Sequence, residues 1–189
     1  MDPQPWPDKY IHVGKPAIKI VNELEEVLKD AQDEKPLQTL LASHPELLKA
    51  FMPAGIDRWS WDRPQLGNQF IPDFILCYRN SQGLNWIMIE LESPTQRPLT
   101  QKSLVAGKLN EAISQIRNWR IWLRQNVAYA SQQLGLKGLD AECPGMIVIG
   151  RRGMVDASQV MMYKELSERG DAKVMSYDRF LEMARAIQE

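Results

Sequence analysis

The sequence predicts a mixed α/β (α+β) domain in which helices flank a central sheet of antiparallel and parallel strands. Residues 16–51 show helical periodicity. Two apolar runs separated by turn residues follow within residues 69–91, and helix-like and strand-like segments alternate after them. A hairpin gives an antiparallel pair and strands joined through helices give parallel pairs, so both are expected in one sheet. The length suits one compact unit, with residues 1–35 as an N-terminal segment and helix and residues 36–189 as the main domain.

The composition is that of an ordinary soluble globular protein, and it excludes several classes of protein. The first 14 residues lack the apolar core of a signal peptide and no segment has the apolar length of a membrane helix, so we expect a cytoplasmic protein without a membrane partner. The net charge of −1 argues against a protein that coats nucleic acid non-specifically. His12 and His44 have no metal-ligand neighbours at useful spacing, and Cys77 and Cys143 are expected to be buried free thiols.

The first part of the chain is predicted to be helical. A first helix is expected to begin at Pro16 and a second at Pro36, since proline is favoured at the first helical position. Residues 43–46 (SHPE) indicate a break and a fresh start that leads to Phe51. The apolar stripe of the first helix is Ala17, Ile18, Val21, Leu24, Val27, Leu28 and Ala31.

Strands are predicted after Pro53. Trp59 and Trp61 alternate with polar residues, as on a short half-buried strand. Residues 69–78 and 84–91 are strand-like, and the residues between them include NSQG at 80–83, which is turn chemistry and predicts a hairpin.

The rest of the chain alternates between helices and strands. A long amphipathic helix is predicted over residues 104–127, and residues 132–143 form the loosest segment. The inner face of this helix is assigned to Leu109, Ala112, Ile113, Ile116, Leu123 and Val127. The later elements are a strand within 145–150, a helix at 157–169, a strand at 172–176 and a helix at 177–187.

The register of the predicted hairpin brings acidic side chains together. If the turn is centred between Ser81 and Gln82, facing positions have numbers that sum to 163, so Asp73 lies opposite Glu90. Facing residues have Cβ atoms about 4.5–5.5 Å apart. Because side chains alternate along a strand, Glu92 projects to the same face as Glu90. Three carboxylates therefore converge.

These acids have two interpretations. Like charges that face each other destabilise a sheet, and a cation between them relieves the repulsion; an oxygen-rich site of this kind suits Mg²⁺ or Mn²⁺. Alternatively, the acids line a solvated face and pair with nearby lysines or arginines, and a register slip of one residue would separate Asp73 from Glu90. The apolar flanks favour the first interpretation, because acids in a covered strand need a partner.

Several segments also resemble a known family. Residues 71–76 (IPDFIL) and 89–94 (IELESP) follow the Pro-Asp…(Asp/Glu)-x-Lys pattern of restriction-endonuclease-like nucleases. Together with these, the later segments resemble the nuclease domain of the Shedu antiphage proteins, over about residues 36–181. Those later segments are 109–119 (LNEAISQIRNW), 146–151 (MIVIGR) and 177–181 (YDRFL), and residues 43–48 (SHPELL) are similar to the start of that domain.

The resemblance implies a restriction-endonuclease-like mixed central sheet flanked by helices, with the nuclease domain over residues 36–189. It implies a nuclease that hydrolyses phosphodiesters, DNA above all, with Mg²⁺ or Mn²⁺ in defence against phage. Asp73 and Glu90 would be metal ligands, and Gln115 an active-site helper on the long helix.

The sequence departs from the family pattern at Glu92, where the family has a lysine that orients the attacking water and neutralises charge. Three explanations stay open. A lysine reaches in from elsewhere, Lys102 and Lys108 being nearest in sequence. Alternatively, Glu92 binds a second metal that takes over the charge neutralisation. The third explanation is that catalysis is weak or lost and a binding fold remains.

Basic and aromatic residues offer further candidates for nucleic-acid binding. Arg117, Arg120 and Arg124 recur at helical spacing as a stripe that faces phosphates or simply solvent. Arg151 and Arg152 follow a predicted strand and could meet a phosphate backbone. Trp119 and Trp122 could stack on bases, but core packing is the stronger expectation.

The leading hypothesis is therefore a divalent-metal-dependent phosphodiesterase acting on DNA in antiphage defence, as a homo-oligomer or with a defence-system partner. The alternatives are a catalytically weak or inactive nucleic-acid-binding or assembly module that keeps the nuclease fold, and a regulatory protein with no nucleic-acid role.

Overall fold

The computed structural model describes residues 11–53 and 57–187. The strands are β1 (Ile11–His12), β2 (Asp57–Asp62), β3 (Phe74–Asn80), β4 (Gly83–Leu91), β5 (Gly145–Val148) and β6 (Lys173–Met175). The α-helices are α1 (Ile18–Asp30), α2 (Lys35–Ser43), α3 (Gly107–Gln132), α4 (Val160–Arg169) and α5 (Tyr177–Ala186). Short 3-10 helices cover Pro45–Phe51, Arg152–Met154 and Ala157–Gln159.

The six strands form one mixed sheet in chain order. Strands β1 to β4 pair antiparallel, whereas β4, β5 and β6 pair parallel. The parallel pairs follow from the helices α3 and α4, which carry the chain back between β4, β5 and β6. The predicted mixed α/β (α+β) fold is confirmed.

Two hydrophobic clusters cover the two faces of the sheet. Alternate side chains of β3 enter different clusters: Phe74 and Leu76 face α1, α2 and α5, whereas Ile75 and Cys77 face α3. Both cysteines are buried and free, as predicted, and burial raises the pKa of the Cys77 thiol to about 12. No helix within residues 11–53 and 57–187 has the length and apolar character needed to cross a membrane.

The boundaries of the long helix differ from the prediction. Helix α3 begins at Gly107, and Leu104 lies before it with an exposed side chain. Val127 is also exposed; the backbone leaves helical geometry immediately before it, at Asn126 (φ −128°, ψ 22°), and Ala130 in the next turn is buried. Trp119 and Trp122 are buried in the core cluster under α3, as the core interpretation expected.

Two segments have a structure that differs from the one predicted from their sequence. The third strand begins at Phe74 and not at residue 69, because residues 66–70 form a turn closed by an isolated bridge between Leu66 and Phe70. Pro72 could not donate a ladder hydrogen bond there. Residues 133–144 carry no helix or strand, but they are packed: Leu136 is fully buried and the indole N–H of Trp86 donates to the carbonyl of Lys137 over 3.1 Å.

Candidate active site

The hairpin has the predicted register, and it brings the acids to one cleft. Phe74 pairs with Ile89 and Asn80 with Gly83, so paired numbers sum to 163. Asp73 immediately precedes β3, Glu90 lies in β4 and Glu92 follows it. All three line a cleft of about 370 Å³, which we call the acidic cleft. Its other lining residues are Glu34, Lys35, Gln38, Arg63, Leu91, Lys108, Glu111 and Gln115.

Asp73 is held on both carboxylate oxygens. Oδ2 accepts the backbone N–H of Leu91 over 2.8 Å, and Oδ1 accepts the side-chain amide of Gln38 over 2.8 Å. The backbone carbonyl of Asp73 accepts the N–H of Arg63 over 2.9 Å. The carboxylate therefore links the end of β4 to helix α2, and its position in the cleft is fixed from two sides.

Glu90 lies where the sheet changes from antiparallel to parallel, with Ile147 of β5 beside it. Its side chain is buried, being only 8% exposed. Its Oε1 accepts a hydrogen bond of 2.7 Å from the amide of Gln115, which lies in the third turn of α3. Gln115 therefore reaches the cleft from α3 and contacts Glu90; its role as an active-site helper stays a prediction.

Glu92 is buried but its carboxylate makes no hydrogen bond with any residue that the structure describes. Its backbone is fixed, because its N–H donates to Val148 and its carbonyl accepts the hydroxyl of Tyr177 over 2.8 Å. Lys108 enters the same cleft from the first turn of α3, where it donates to Glu111 over 2.8 Å. The other candidate lysine, Lys102, is exposed and does not line the cleft.

The three carboxyls are harder to ionise than free ones. Burial, then the charges of Asp73 and Glu92, raise the pKa of Glu90. Burial also raises the pKa of Asp73, although the hydrogen bond from the N–H of Leu91 lowers it in part. Burial raises the pKa of Glu92 to about 7, although the nearby positive charge of Lys108 acts to lower it. The cleft therefore disfavours full ionisation of its acids, and a cation bound among them would favour it.

These shifts predict that the metal-free protein loses stability as pH rises. A carboxyl with a raised folded-state pKa stabilises the fold fully below its ordinary pKa, and this contribution is lost as pH rises through the folded pKa. For Glu92 the loss runs from pH 4.5 to about 7, and Glu90 acts in the same direction. We expect the melting temperature in EDTA to fall across this range, and to fall less steeply for Glu92→Gln. Equal slopes for the two proteins would contradict the assignment.

The donor set suits a hard cation, because every candidate ligand is a carboxylate oxygen. Within residues 11–53 and 57–187, no group of three or more His, Cys, Asp or Glu side chains is arranged to hold a metal ion. Magnesium commonly binds proteins through one or two carboxylates and keeps several waters. Asp73 and Glu90 fit that mode, and Glu92 would have to move to join them.

Five polar or charged lining residues were not anticipated from the sequence: Glu34, Lys35, Gln38, Arg63 and Glu111. One had a local signal, since Glu111 stands four residues before Gln115 and such residues share a helix face. The others reach the cleft from the start of α2 and from the end of β2, so only the tertiary fold places them there.

The predicted stripe on α3 lies away from the cleft. Nine residues separate Gln115 from Arg124, which at about 100° per residue places them on opposite sides of the helix. Arg117 bonds Asp171 over 2.7 Å, Arg124 pairs with Glu142 over 3.5 Å, and Arg120 bonds the carbonyls of Asp171 and Cys143. These arginines join α3 to neighbouring loops, and their role in nucleic-acid binding stays a prediction.

Arg151 and Arg152 also lie outside the acidic cleft. Arg151 forms a two-pronged ion pair with Asp178 at the start of α5 and donates to the carbonyl of Leu28 over 2.8 Å. Arg152 pairs with Glu182 over 2.6 Å. Both guanidinium groups therefore fasten the loop after β5 to helix α5, and their predicted phosphate contacts stay untested.

Comparison with known proteins identifies the family. The family described as "Shedu protein SduA, C-terminal" matches residues 31–181, which contain Asp73, Glu90, Glu92 and Gln115. A search of curated proteins gave no match. The family match spans well over half of the chain and includes every strand from β2 to β6. The chain belongs to the family of the Shedu protein SduA C-terminal region, and this membership implies a part in antiphage defence.

Proposed function

We propose that this protein is a divalent-metal-dependent nuclease that hydrolyses phosphodiester bonds, with DNA as its substrate, in antiphage defence. The observation that carries the proposal is the convergence of Asp73, Glu90 and Glu92 in one cleft with Gln115 bonded to Glu90. Buried acids with raised pKa values that form no salt bridge with the described residues are typical of a site completed by a bound ion.

In this proposal Asp73 and Glu90 hold Mg²⁺ or Mn²⁺, with Glu92 as the third oxygen ligand. The ion would activate water and polarise the scissile phosphate. The protein fixes the two main ligands: Gln115 orients Glu90, while Gln38 and the N–H of Leu91 orient Asp73. Support of this kind from the surrounding residues sets the direction of each oxygen before any ligand arrives.

Lys108 takes the role that the family gives to a lysine at position 92. It lines the acidic cleft and is close enough to Glu92 to oppose the rise in the pKa of that acid, whereas Lys102 does not line the cleft. Its ammonium would neutralise charge that develops on the phosphate and help to place the attacking water. Glu111, which accepts its hydrogen bond, would hold the ammonium at the cleft between turnovers.

A second candidate function is a nucleic-acid-binding module that keeps the fold without catalysis. The acid at position 92 favours it, as does the absence of a three-acid metal group from the described part of the chain. Both candidate functions include nucleic acid as the partner, alone or with a second copy or a defence-system protein, and they differ in whether metal binding leads to cleavage.

The direct test combines a melting curve with a cleavage assay. Mn²⁺ and Mg²⁺ should raise the melting temperature relative to EDTA, since an ion that binds only the folded state stabilises it. The same ions should support cleavage of duplex DNA, with RNA as the comparison substrate. A rise in melting temperature without cleavage of either substrate would favour the binding module. The absence of both the rise and the cleavage would refute the proposed function.

A further inference from the structure

Arg63 differs from the other arginines of the fold. Within the part of the chain that the structure describes, its guanidinium makes no hydrogen bond or ion pair. The other arginines with described side chains each make at least one such contact, to a carboxylate or to a backbone carbonyl. They are Arg58, Arg79, Arg97, Arg117, Arg120, Arg124, Arg151, Arg152, Arg179 and Arg185.

The backbone of Arg63 is also unusual. Its φ of +44° lies in the left-handed region, which residues with a side chain adopt at a cost and glycine adopts readily. The conformation is held because the N–H of Arg63 donates to the carbonyl of Asp73 over 2.9 Å. Strained residues of this kind concentrate at functional sites, where the position of the side chain matters more than local stability.

Arg63 lines the acidic cleft together with Lys35, and its positive charge acts on the carboxyl of Asp73. The ammonium of Lys35 likewise makes no hydrogen bond or ion pair with the residues described here. The third cation of the cleft, Lys108, donates to Glu111. Two cations at the cleft are therefore available to an anion without first breaking an ion pair or a hydrogen bond, which is not true of the α3 stripe or of Arg151 and Arg152.

We propose that Arg63 and Lys35 form a phosphate-binding site at the cleft, which holds a phosphodiester next to the one presented to Asp73 and Glu90. This inference rests on the proposed function and adds to it two residues that bind the substrate backbone. A guanidinium binds phosphate through two parallel N–H donors, and the ammonium adds a point charge. Cations that bind the backbone position a nucleic acid without reading its sequence.

The test measures binding of a fluorescent DNA duplex in Ca²⁺, chosen to limit cleavage, and melting temperature in parallel. Arg63→Ala and Arg63→Gly should both weaken binding by about tenfold or more. The glycine variant should melt at a higher temperature than the alanine variant, because only alanine retains the backbone strain. Metal affinity should hold or increase in both variants, since a positive charge leaves the cleft. Lys35→Ala should weaken binding too and flatten its salt dependence.

Arg179→Ala is the matched control, because Arg179 is exposed, carries the same charge and lies outside the cleft. Its binding should equal that of the parent. If Arg63→Ala binds DNA like the parent, or if Arg179→Ala loses as much affinity, the phosphate site is refuted while the proposed nuclease stands. A parent protein that neither binds nor cleaves DNA refutes both. Loss of binding that follows melting temperature across the variants would show a structural role and also refute the site.

Discussion

Glu90→Gln should reduce metal-dependent cleavage by about 10³-fold, equivalent to about 4 kcal/mol of transition-state stabilisation. The change removes the charge of a proposed metal ligand and keeps the shape of the side chain. Its amide oxygen can still accept the hydrogen bond from Gln115, which now reaches Oε1 of Glu90 over 2.7 Å. The rise in melting temperature on adding Mn²⁺ should be lost as well. The metal-free variant should be at least as stable as the parent at neutral pH, because a buried acid with a raised pKa has been replaced by a neutral group.

Asp73→Asn tests the second ligand in the same way. Asparagine keeps one oxygen for the N–H of Leu91, and the amide of Gln38 can rotate to accept from the new N–H group. Alanine is a poorer choice, since it would leave the N–H of Leu91 unpaired at a cost of about 1–3 kcal/mol. Full cleavage by either Glu90→Gln or Asp73→Asn would place the active site elsewhere.

The sequence predicted the acidic core of the site because hairpin geometry is local. The turn residues between β3 and β4 set the register, and a period of two then determines which side chains share a face. Asp73 and Glu90 therefore meet as expected, although Asp73 lies just outside the strand. The burial of Glu90 also follows from its apolar neighbours on β4 and the covered strand β5.

The cationic side of the site could not be predicted from spacing. Lys35 and Arg63 reach the acidic cleft from α2 and from the end of β2, and no periodic pattern links either residue to the hairpin. Helical spacing instead pointed to Arg117 and Arg124, whose partners Asp171 and Glu142 are distant in sequence. A cluster of arginines is visible in a sequence, but whether each already has an acidic partner depends on tertiary contacts.

The kink in α3 is a second departure from the sequence prediction, and its cause is local. Strict periodicity assigns Val127 to the core, but Asn126 breaks the helical geometry and its side-chain amide donates to the carbonyl of Trp122 over 2.9 Å. Asparagine commonly competes for backbone hydrogen bonds in this way. Beyond the kink Val127 is exposed, whereas Ala130, seven residues after Leu123, is buried.

Lys108→Ala and Glu92→Gln should both lower the rate of cleavage, but they should differ in their effect on metal affinity. Lys108→Ala removes a positive charge from the cleft, so it should lower cleavage by about 100-fold while metal affinity holds or rises. Glu92→Gln removes a proposed ligand, so it should weaken metal affinity and lower cleavage by about tenfold or more. Metal affinity measured from the dependence of melting temperature on Mn²⁺ separates the two roles.

Glu92→Lys completes this comparison, because it introduces beside Glu90 the lysine of the restriction-endonuclease-like pattern that the sequence resembles. If Glu92 is a ligand and Lys108 already supplies the positive charge, the variant should bind metal more weakly and cleave less than the parent. Lys19→Ala, which removes an exposed lysine of α1 outside the cleft, is the matched control and should leave cleavage unchanged. A gain of cleavage in Glu92→Lys would contradict the ligand role and indicate a site that lost its lysine. Parental cleavage by Lys108→Ala would remove Lys108 from the mechanism, because no reaction can depend on a charge whose loss leaves the rate unchanged.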